Sequence, residues 1–282
     1  MRILVDKLRS DTRVIAAELR PPRAELEAAA SRDAWIDTYH AVRSLTRNGT
    51  FVFLTDSAVG SKEEDNLRHL VINLGTDVPR SSVVPFLTCK HPLDYCLAYA
   101  DRARDHGFEA LVVLGGDRSV GPARCVEHAW QLREEIRRRV PNLALGGWAN
   151  PHADPVAQVG HLMQDRVHAE FYLTQIVSHH SRDRVERFLE EGRRRELAIP
   201  GMFGLFYYRS ANPRTLAALK DFLPVPAEEL TREFAEGATP DEVCARSIRA
   251  LTEAGVRHFY ISNLPIGRAA PTLKRILDAV KS

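Results

Sequence analysis

Short apolar runs alternate along this chain with longer segments that have the period of an α-helix. Eight of the runs close on polar or glycine-rich residues and are predicted to be strands: Val14–Leu19, Phe51–Thr55, Val83–Thr88, Ala110–Leu114, Leu143–Trp148, Phe171–Ile176, Ile199–Phe206 and Val256–Ser262. Repeated strand–helix units are typical of a parallel β-sheet. Eight such units predict a (β/α)8 barrel of the TIM type, formed as one domain by residues 1–282. Because periodicity does not establish closure, an open doubly wound sheet is the alternative.

The spacing of the strands leaves room for extra structure before the last one. Six of the seven intervals between successive strand starts are 27 to 37 residues long, and the last interval is 57 residues long. The long interval is predicted to contain helices over Pro213–Phe222, Ala227–Glu236 and Pro240–Ala254. Thr239 is the expected N-cap of the third helix, because a proline follows it at the first helical position. After the second strand, Ser61 is predicted to cap a helix with acidic residues at 63–65.

The composition is that of an ordinary soluble enzyme, with 44% hydrophobic and 27% charged residues and a net charge of +2. Arginine clusters at 137–139 and 193–195 have acidic neighbours on predicted helices, which favours solvated helix faces over a nucleic-acid surface. No apolar run approaches the ~20 residues that cross a bilayer, and the first residues lack the apolar stretch of a signal peptide. We therefore expect a cytoplasmic protein that binds neither nucleic acid nor membrane.

Metal and hydrolase chemistry find little support in the sequence. The chain contains four cysteines, Cys89, Cys96, Cys125 and Cys244. Their spacing forms neither a CxxC pair nor a zinc motif, so reduced and mostly buried thiols are expected. His179 and His180 are adjacent, and on an extended segment they would point to opposite sides with no third ligand implied nearby, which favours a loop. Ser57 and Ser178 lack a nucleophile-elbow motif, which argues against a hydrolase.

Polar residues collect where the predicted strands end, which is the functional face of a (β/α)8 barrel. They are Glu18, Thr55-Asp56-Ser57, Thr88-Cys89-Lys90-His91, Gly115-Gly116-Asp117, Trp148-Ala149-Asn150 with His152, Thr174-Gln175, Tyr207-Tyr208 and Asn263. Glu18 stands in an apolar strand, so burial should raise its pKa toward neutrality and suit it to donate a proton, unless Arg20 satisfies it. Asp117 follows two glycines that permit close approach of a ligand, although Gly-Gly-Asp is also a common turn. No GxGxxG motif follows a strand, so a Rossmann domain is not indicated.

Taken in chain order, these segments resemble the methylenetetrahydrofolate reductase family. Residues 17–22 (AELRPP) resemble its FEFFPP, residues 54–61 (LTDSAVGS) its VTYGAGGS, residues 86–89 (FLTC) its HLTC, and residues 114–117 (LGGD) its LRGD. Residues 148–152 (WANPH) are similar to YPExH, residues 173–175 (LTQ) to ITQ, residues 199–201 match IPG, and residues 258–263 (HFYISN) are similar to HFYTLN. Eight ordered motifs cover nearly the whole chain, and the family fold is again a (β/α)8 barrel.

The resemblance implies an activity, its cofactors and its site residues. The reaction would be the reduction of 5,10-methylenetetrahydrofolate to 5-methyltetrahydrofolate, with FAD passing hydride from NADH or NADPH, in one-carbon metabolism and methionine biosynthesis. Glu18 would be the acid that opens the five-membered ring of the folate to an iminium, and Asp117 would place negative charge beside the flavin and that cation. Gln175 would hydrogen-bond the pterin, and Tyr260 would lie near the substrate. The flavin site would be lined by Thr55, Thr88, Gly116, Asp117, Trp148 and His152.

Several positions depart from the family pattern. Gly115 replaces a flavin-contacting arginine, Phe86 a histidine and Asp56 a tyrosine, while residues 162–165 (LMQD) replace most of the basic residues that hold the FAD phosphates. Losing charge-assisted contacts worth roughly 1.5 to 3 kcal/mol each would weaken flavin binding. Two alternatives therefore stay open: direct hydride transfer from the nicotinamide without flavin, and a folate-binding C1-transfer subunit without redox activity. A homo-oligomer is compatible with the sequence.

Overall fold

Eight parallel strands form a closed barrel in a computed structural model that describes residues 2–22, 26–56, 74 and 77–281. The strands follow one another around the barrel in chain order, and the last pairs with the first. They are β1 (Ile15–Leu19), β2 (Val52–Leu54), β3 (Val83–Thr88), β4 (Ala110–Leu114), β5 (Ala144–Ala149), β6 (Phe171–Ile176), β7 (Gly201–Phe206) and β8 (His258–Ser262). Closure confirms the predicted (β/α)8 fold and excludes the open sheet.

Ten helices accompany the barrel in the described part of the chain, and most of them pack their apolar faces on the outward side chains of the strands. They are α1 (Ile3–Arg9), α2 (Ala28–Arg47), α3 (Leu93–Asp105), α4 (Ala129–Arg139), α5 (Pro155–Leu162), α6 (Arg182–Arg194), α7 (Pro213–Lys220), α8 (Ala227–Ala235), α9 (Pro240–Glu253) and α10 (Ala269–Lys281). The three helices predicted between the last two strands are α7, α8 and α9. Thr239 caps α9 as predicted, in a reciprocal capping box with Glu242. The helix predicted at Ser61 lies outside the described residues.

The barrel interior is filled by the alternate, inward-facing side chains of the strands, which form a second apolar cluster with α1. Its largest buried members include Phe53, Phe171 and Tyr260. Helix α1, which the apolar pattern did not predict, places Leu4 and Leu8 against this cluster. Because α1 precedes β1 in the chain, it packs at the N-terminal end of the barrel, and the opposite end is left for a ligand.

His258 fastens α1 to the strands. Its Nδ1 accepts the Val14 N–H at 3.1 Å, and its Nε2 donates to the Leu8 carbonyl at 3.0 Å. This pairing requires the neutral imidazole, because a protonated ring has no acceptor nitrogen for the Val14 amide. Burial lowers the pKa of His258 below its usual value, so the ring is neutral at physiological pH.

We expect the attachment of α1 to weaken at acid pH. A histidine whose pKa is lower in the folded than in the unfolded chain stabilises the fold above pH ~6.5 and loses that contribution as pH falls through its folded pKa. Hydrogen exchange of the α1 amides should therefore accelerate on acidification more than exchange of the β4 amides, after correction for intrinsic rates. A His258→Gln variant should lose this pH dependence, and an unchanged profile in the variant would contradict it.

Candidate active site

Glu18 lies on the inner face of β1 near the C-terminal end of the barrel. Ala16 and Glu18 share that face by alternation, and Ala16 packs in the barrel interior. Strand β8 pairs with β1 in a register that sets Ser262 beside Glu18, and the Ser262 hydroxyl hydrogen-bonds the carboxyl group. Burial raises the pKa of Glu18 to about 7, and the hydrogen bond from Ser262 opposes part of that rise. The carboxyl group can therefore give up or take a proton near neutral pH.

Tyr260 lies close to Glu18 in the barrel interior. The ring is 1% exposed, and its hydroxyl donates to the Thr174 carbonyl. Burial, with a smaller contribution from Glu18, raises the pKa of Tyr260 well above its usual value, so the hydroxyl remains a donor. Gly204 pairs with Tyr260 across β7 and β8 and leaves the space that the ring occupies. The structure thus does not bring Tyr260 to the surface of the mouth, where the resemblance implied a substrate contact.

The ends of β2 and β3 are held together by a carboxylate. Asp56 Oδ2 accepts hydrogen bonds from the Thr88 N–H at 2.7 Å and the Thr88 hydroxyl at 3.0 Å, and it lies 2.8 Å from His91 Nε2. Thr88 is 1% exposed. The Thr55 N–H donates to the Leu19 carbonyl at 3.1 Å. Thr55 and Thr88, both predicted to line a flavin, therefore help to shape the mouth. Asp56 binds Thr88 through its carboxylate, a contact that the tyrosine of the family motif would not provide.

A large cavity opens beside the C-terminal ends of β4 and β5, with a volume of about 810 Å³. Cationic and aromatic side chains dominate its lining: Arg118, Arg124, Arg133, Arg166, His128, His161, Trp130 and Trp148. Trp148 is 38% exposed, which is unusual for so large an apolar group, and the Arg166 guanidinium lies 4.5 Å from the centre of the Trp130 ring. Indole rings and guanidinium groups that line one cavity suit a ligand that carries both an aromatic ring and phosphate.

Gly115 leaves space in this cavity for the side chain of Arg124. A Cβ atom at position 115 would lie 2.7 Å from the Arg124 Cζ, so the guanidinium passes directly over the glycine. Arg124 also donates to the Gly116 carbonyl. Position 115 corresponds to an arginine in the family motif, and in this structure the Arg124 guanidinium, from the loop before α4, lies against the backbone at that position. A positive charge thus lies beside position 115 although the residue there is glycine.

The other predicted residues at the mouth have defined partners. The partly exposed Asp117 carboxylate accepts the Ser119 N–H and the Ser119 hydroxyl, both at 2.7 Å, and these hydrogen bonds lower its pKa. Asp117 is thus a stable anion, and its hydrogen bonds to Ser119 also fix the turn that the Gly-Gly-Asp segment was predicted to form. His152 Nε2 lies 2.8 Å from the Ile176 carbonyl, and burial lowers the pKa of its ring. The Gln175 side-chain oxygen accepts the Ile176 N–H at 2.9 Å.

His179 and His180 do not lie on an extended segment, and the expectation that they diverge without a third ligand was wrong. They begin a 3₁₀ turn, His179–Ser181, directly after β6. Their ring centres are 3.8 Å apart, and both Nε2 atoms point at Oε1 of Glu233, at 2.9 and 2.6 Å. Glu233 lies on α8, within the inserted helices, so tertiary packing brings the third group to the pair.

Sequence reasoning missed three parts of this site: Ser262 beside Glu18, the guanidinium groups of Arg118 and Arg124, and Trp130. A signal existed for the arginines. The segment that follows Asp117 reads RSVGPAR and combines glycine, proline and arginine just before a helix, a composition that suits an anion-binding loop. Ser262 had no comparable signal, because its proximity to Glu18 depends on the register between the first and last strands.

Comparisons with known proteins show a likeness in fold alone. No protein-family model and no curated protein matches the sequence. Among solved structures, the fold is similar to that of a protein from Clostridium thermocellum, with a TM-score of 0.69 and 14% identity over 99% of this chain and 98% of that one. That protein binds two copies of 5-methyl-5,6,7,8-tetrahydrofolic acid. The carboxyl transferase domain of Rhizobium etli pyruvate carboxylase matches with a TM-score of 0.58 and 11% identity, over 98% of this chain and 45% of that one. In the part of the chain that the structure describes, no helix is long and apolar enough to cross a membrane.

Proposed function

We propose that this protein binds a reduced folate at the C-terminal mouth of the barrel and reduces 5,10-methylenetetrahydrofolate to 5-methyltetrahydrofolate. The observation that carries the proposal is Glu18, a carboxyl group whose pKa of about 7 lets it act as an acid at neutral pH. The ordered motifs that resemble methylenetetrahydrofolate reductase support it. So does the folate bound by the Clostridium thermocellum protein, whose fold this chain shares.

Glu18 would begin the reaction by protonating the leaving nitrogen of the five-membered ring. The carbon–nitrogen bond breaks with its electron pair going to that nitrogen, and the methylene carbon becomes part of a cationic iminium. The carboxylate left on Glu18 is stabilised by the Ser262 hydroxyl, which hydrogen-bonds it. Asp117, an anion held by Ser119, would offset the positive charge of the iminium. Hydride addition to the methylene carbon then completes the methyl group.

FAD, when bound, would supply the hydride that it receives from NADH or NADPH. The residues present fit such a group, because the cavity beside β4 and β5 is lined by guanidinium groups for phosphates and by indole rings for an aromatic ring system. Arg124, whose guanidinium lies against Gly115, would hold phosphate there together with Arg118, whose side chain is exposed. This fit favours the flavin-dependent reaction over direct transfer from the nicotinamide.

Arg124→Ala is expected to weaken FAD binding about 10- to 100-fold. A charge-assisted hydrogen bond to phosphate contributes roughly 1.5 to 3 kcal/mol, and 1.4 kcal/mol corresponds to a factor of ten in affinity. The measurement is a titration of purified protein with FAD, followed by flavin absorbance and fluorescence. Arg214→Ala, an exposed arginine on α7, is the matched control and should bind FAD as the wild type does. Equal affinity in the two variants would place the flavin elsewhere.

A folate-binding protein without redox activity is the second candidate, since the Clostridium thermocellum protein binds two copies of the methylated folate. Absorbance spectra before and after incubation with FAD, followed by an NADH oxidation assay with 5,10-methylenetetrahydrofolate, separate the possibilities. A yellow, active protein supports the flavin-dependent reductase. A colourless and active protein supports direct hydride transfer, and tight folate binding without NADH oxidation supports the second candidate.

A further inference from the structure

The turn after β6 brings three metal-ligating groups together at a distance in sequence. His179 Nε2, His180 Nε2 and a carboxylate oxygen of Glu233 all lie within 4.8 Å of one another. Both imidazoles direct their Nε2 atoms at the same Oε1 atom, at 2.9 and 2.6 Å. A metal ion held by these atoms would take the place of that shared contact. Ligand atoms around a tetrahedral zinc ion are roughly 3.3 Å apart, so the three groups need to separate by about half an ångström.

Neighbouring residues orient the ligands as supporting groups do at metal sites. Ser247 Oγ lies 2.8 Å from His179 Nδ1, and a proton on Nδ1 leaves Nε2 with the lone pair that a metal binds. The second carboxylate oxygen of Glu233, Oε2, accepts a hydrogen bond from Arg246 at 2.7 Å, which leaves Oε1 for the ion. The side chains of His179 and His180 are each 18% exposed and that of Glu233 is 12% exposed, so the cluster is largely shielded from solvent.

A fourth group lies in the same region without a partner. Tyr208 is 5% exposed, and its hydroxyl oxygen has no hydrogen-bond partner among the residues that the structure describes. It lines a cavity of about 10 Å³ together with His179, His180 and Ser247. That volume suffices for one water molecule. A buried hydroxyl without a partner costs free energy, and a water bound to a metal ion would satisfy it while completing the coordination.

We propose that His179, His180 and Glu233 bind a zinc ion, with a water as the fourth ligand. Two imidazoles and one carboxylate suit Zn²⁺, whereas Mg²⁺ and Ca²⁺ prefer oxygen ligands alone. The ion would join the turn after β6 to α8. The site uses none of the residues assigned above to folate reduction, so the two proposals stand or fall separately.

The test is metal binding by the full-length protein after removal of metals with EDTA. We expect the wild type to retain one equivalent of added Zn²⁺ through gel filtration, measured by elemental analysis, and to give a Co²⁺ absorption spectrum with the intense visible bands of a four- or five-coordinate ion. His180→Ala should lower the affinity at least 100-fold and abolish those bands. Ser247→Ala, which removes only a supporting hydrogen bond, should lower it about tenfold.

Two control variants separate this site from other ligands in the chain. His161→Ala removes an exposed histidine of the cavity beside β4 and β5, and Cys125→Ser removes a thiol; both should keep one equivalent of zinc. Arg246→Ala removes the ion pair of Glu233 and keeps all three ligands, so it should still bind zinc if the cluster is a metal site. Loss of zinc on gel filtration by the wild type, or retention by a folded His180→Ala protein, would overturn the proposal.

Discussion

Glu18→Gln is expected to lower the turnover of 5,10-methylenetetrahydrofolate about 10²- to 10⁴-fold while folate binding is retained. General acid catalysis by a positioned side chain contributes a factor of that size. Glutamine has nearly the same shape and can accept the hydrogen bond from Ser262, but it has no proton to transfer to the leaving nitrogen. The measurements are steady-state reduction and the equilibrium affinity for tetrahydrofolate. Near-normal turnover in the variant would refute the role of Glu18.

The pH profile gives a second test of the same role. An acid must be protonated to act, and the pKa of Glu18 is about 7, so the rate of the chemical step should fall as pH rises above about 7. Ser262→Ala removes the hydrogen bond that lowers this pKa, so its profile should fall at a higher pH while activity at pH 6 is retained. A variant with a merely structural defect would lose activity at every pH, and the pH at which its rate declines would not change.

The raised pKa of Glu18 also lowers the stability of the fold at neutral and alkaline pH. The group binds its proton more tightly in the folded chain, at a pKa of about 7, than in the unfolded chain, at 4.5. Stability therefore falls as pH rises between these values and stays lower above them. At 1.36 kcal/mol per pH unit the shift corresponds to about 3 kcal/mol. In urea titrations, Glu18→Gln should accordingly gain up to about 3 kcal/mol over the wild type at pH 8 and little at pH 4.

The fold could be predicted because local patterns agreed with the architecture. The strands that became β3, β4 and β6 were predicted with their observed ends, since each is a short apolar run that stops at polar residues. Closure depends on β1 pairing with β8, which no local pattern reports. Helix α1 was missed because seven residues with three buried leucine or valine side chains carry little periodic signal, and only packing against the barrel interior defines them.

The site was predictable where one residue conflicts with its own surroundings, as Glu18 does in an apolar strand. It was not predictable where residues far apart in the chain come together. Comparing position 115 alone with a family motif indicates a lost arginine, but the guanidinium of Arg124 passes over that glycine. The prediction for His179 and His180 was wrong for a similar reason. Glu233 is 53 residues beyond His180 in the chain, and only the packing of α8 against the turn after β6 brings them together.

Gly204→Ala is expected to destabilise the protein by about 3 kcal/mol and to remove most of the proposed reductase activity. The added Cβ atom would lie 2.5 Å from Tyr260 Cζ, well inside van der Waals contact. Tyr260 has no room to yield, because it is buried in the barrel interior and hydrogen-bonded to the Thr174 carbonyl. Overpacking in such a core costs roughly 1 to 3 kcal/mol, occasionally more. Gly267→Ala is the control, since among the described residues no atom beyond the immediate chain neighbours of Gly267 lies within 4 Å of its added Cβ.

A double-mutant cycle tests whether the clash with Tyr260 is the cause. Tyr260→Phe alone should cost about 1 to 2 kcal/mol, because the buried Thr174 carbonyl loses its donor. In the Gly204→Ala background the same change removes the hydroxyl, the atom nearest the added methyl group, and leaves Cζ in place, so the double variant should lose less stability than the sum of the two single variants. Additive losses would mean that the alanine acts elsewhere. Because Tyr260 lies close to Glu18, we also expect partial relief of the clash to restore part of the activity. A purely global loss of stability would not predict such a recovery at temperatures where both variants are folded.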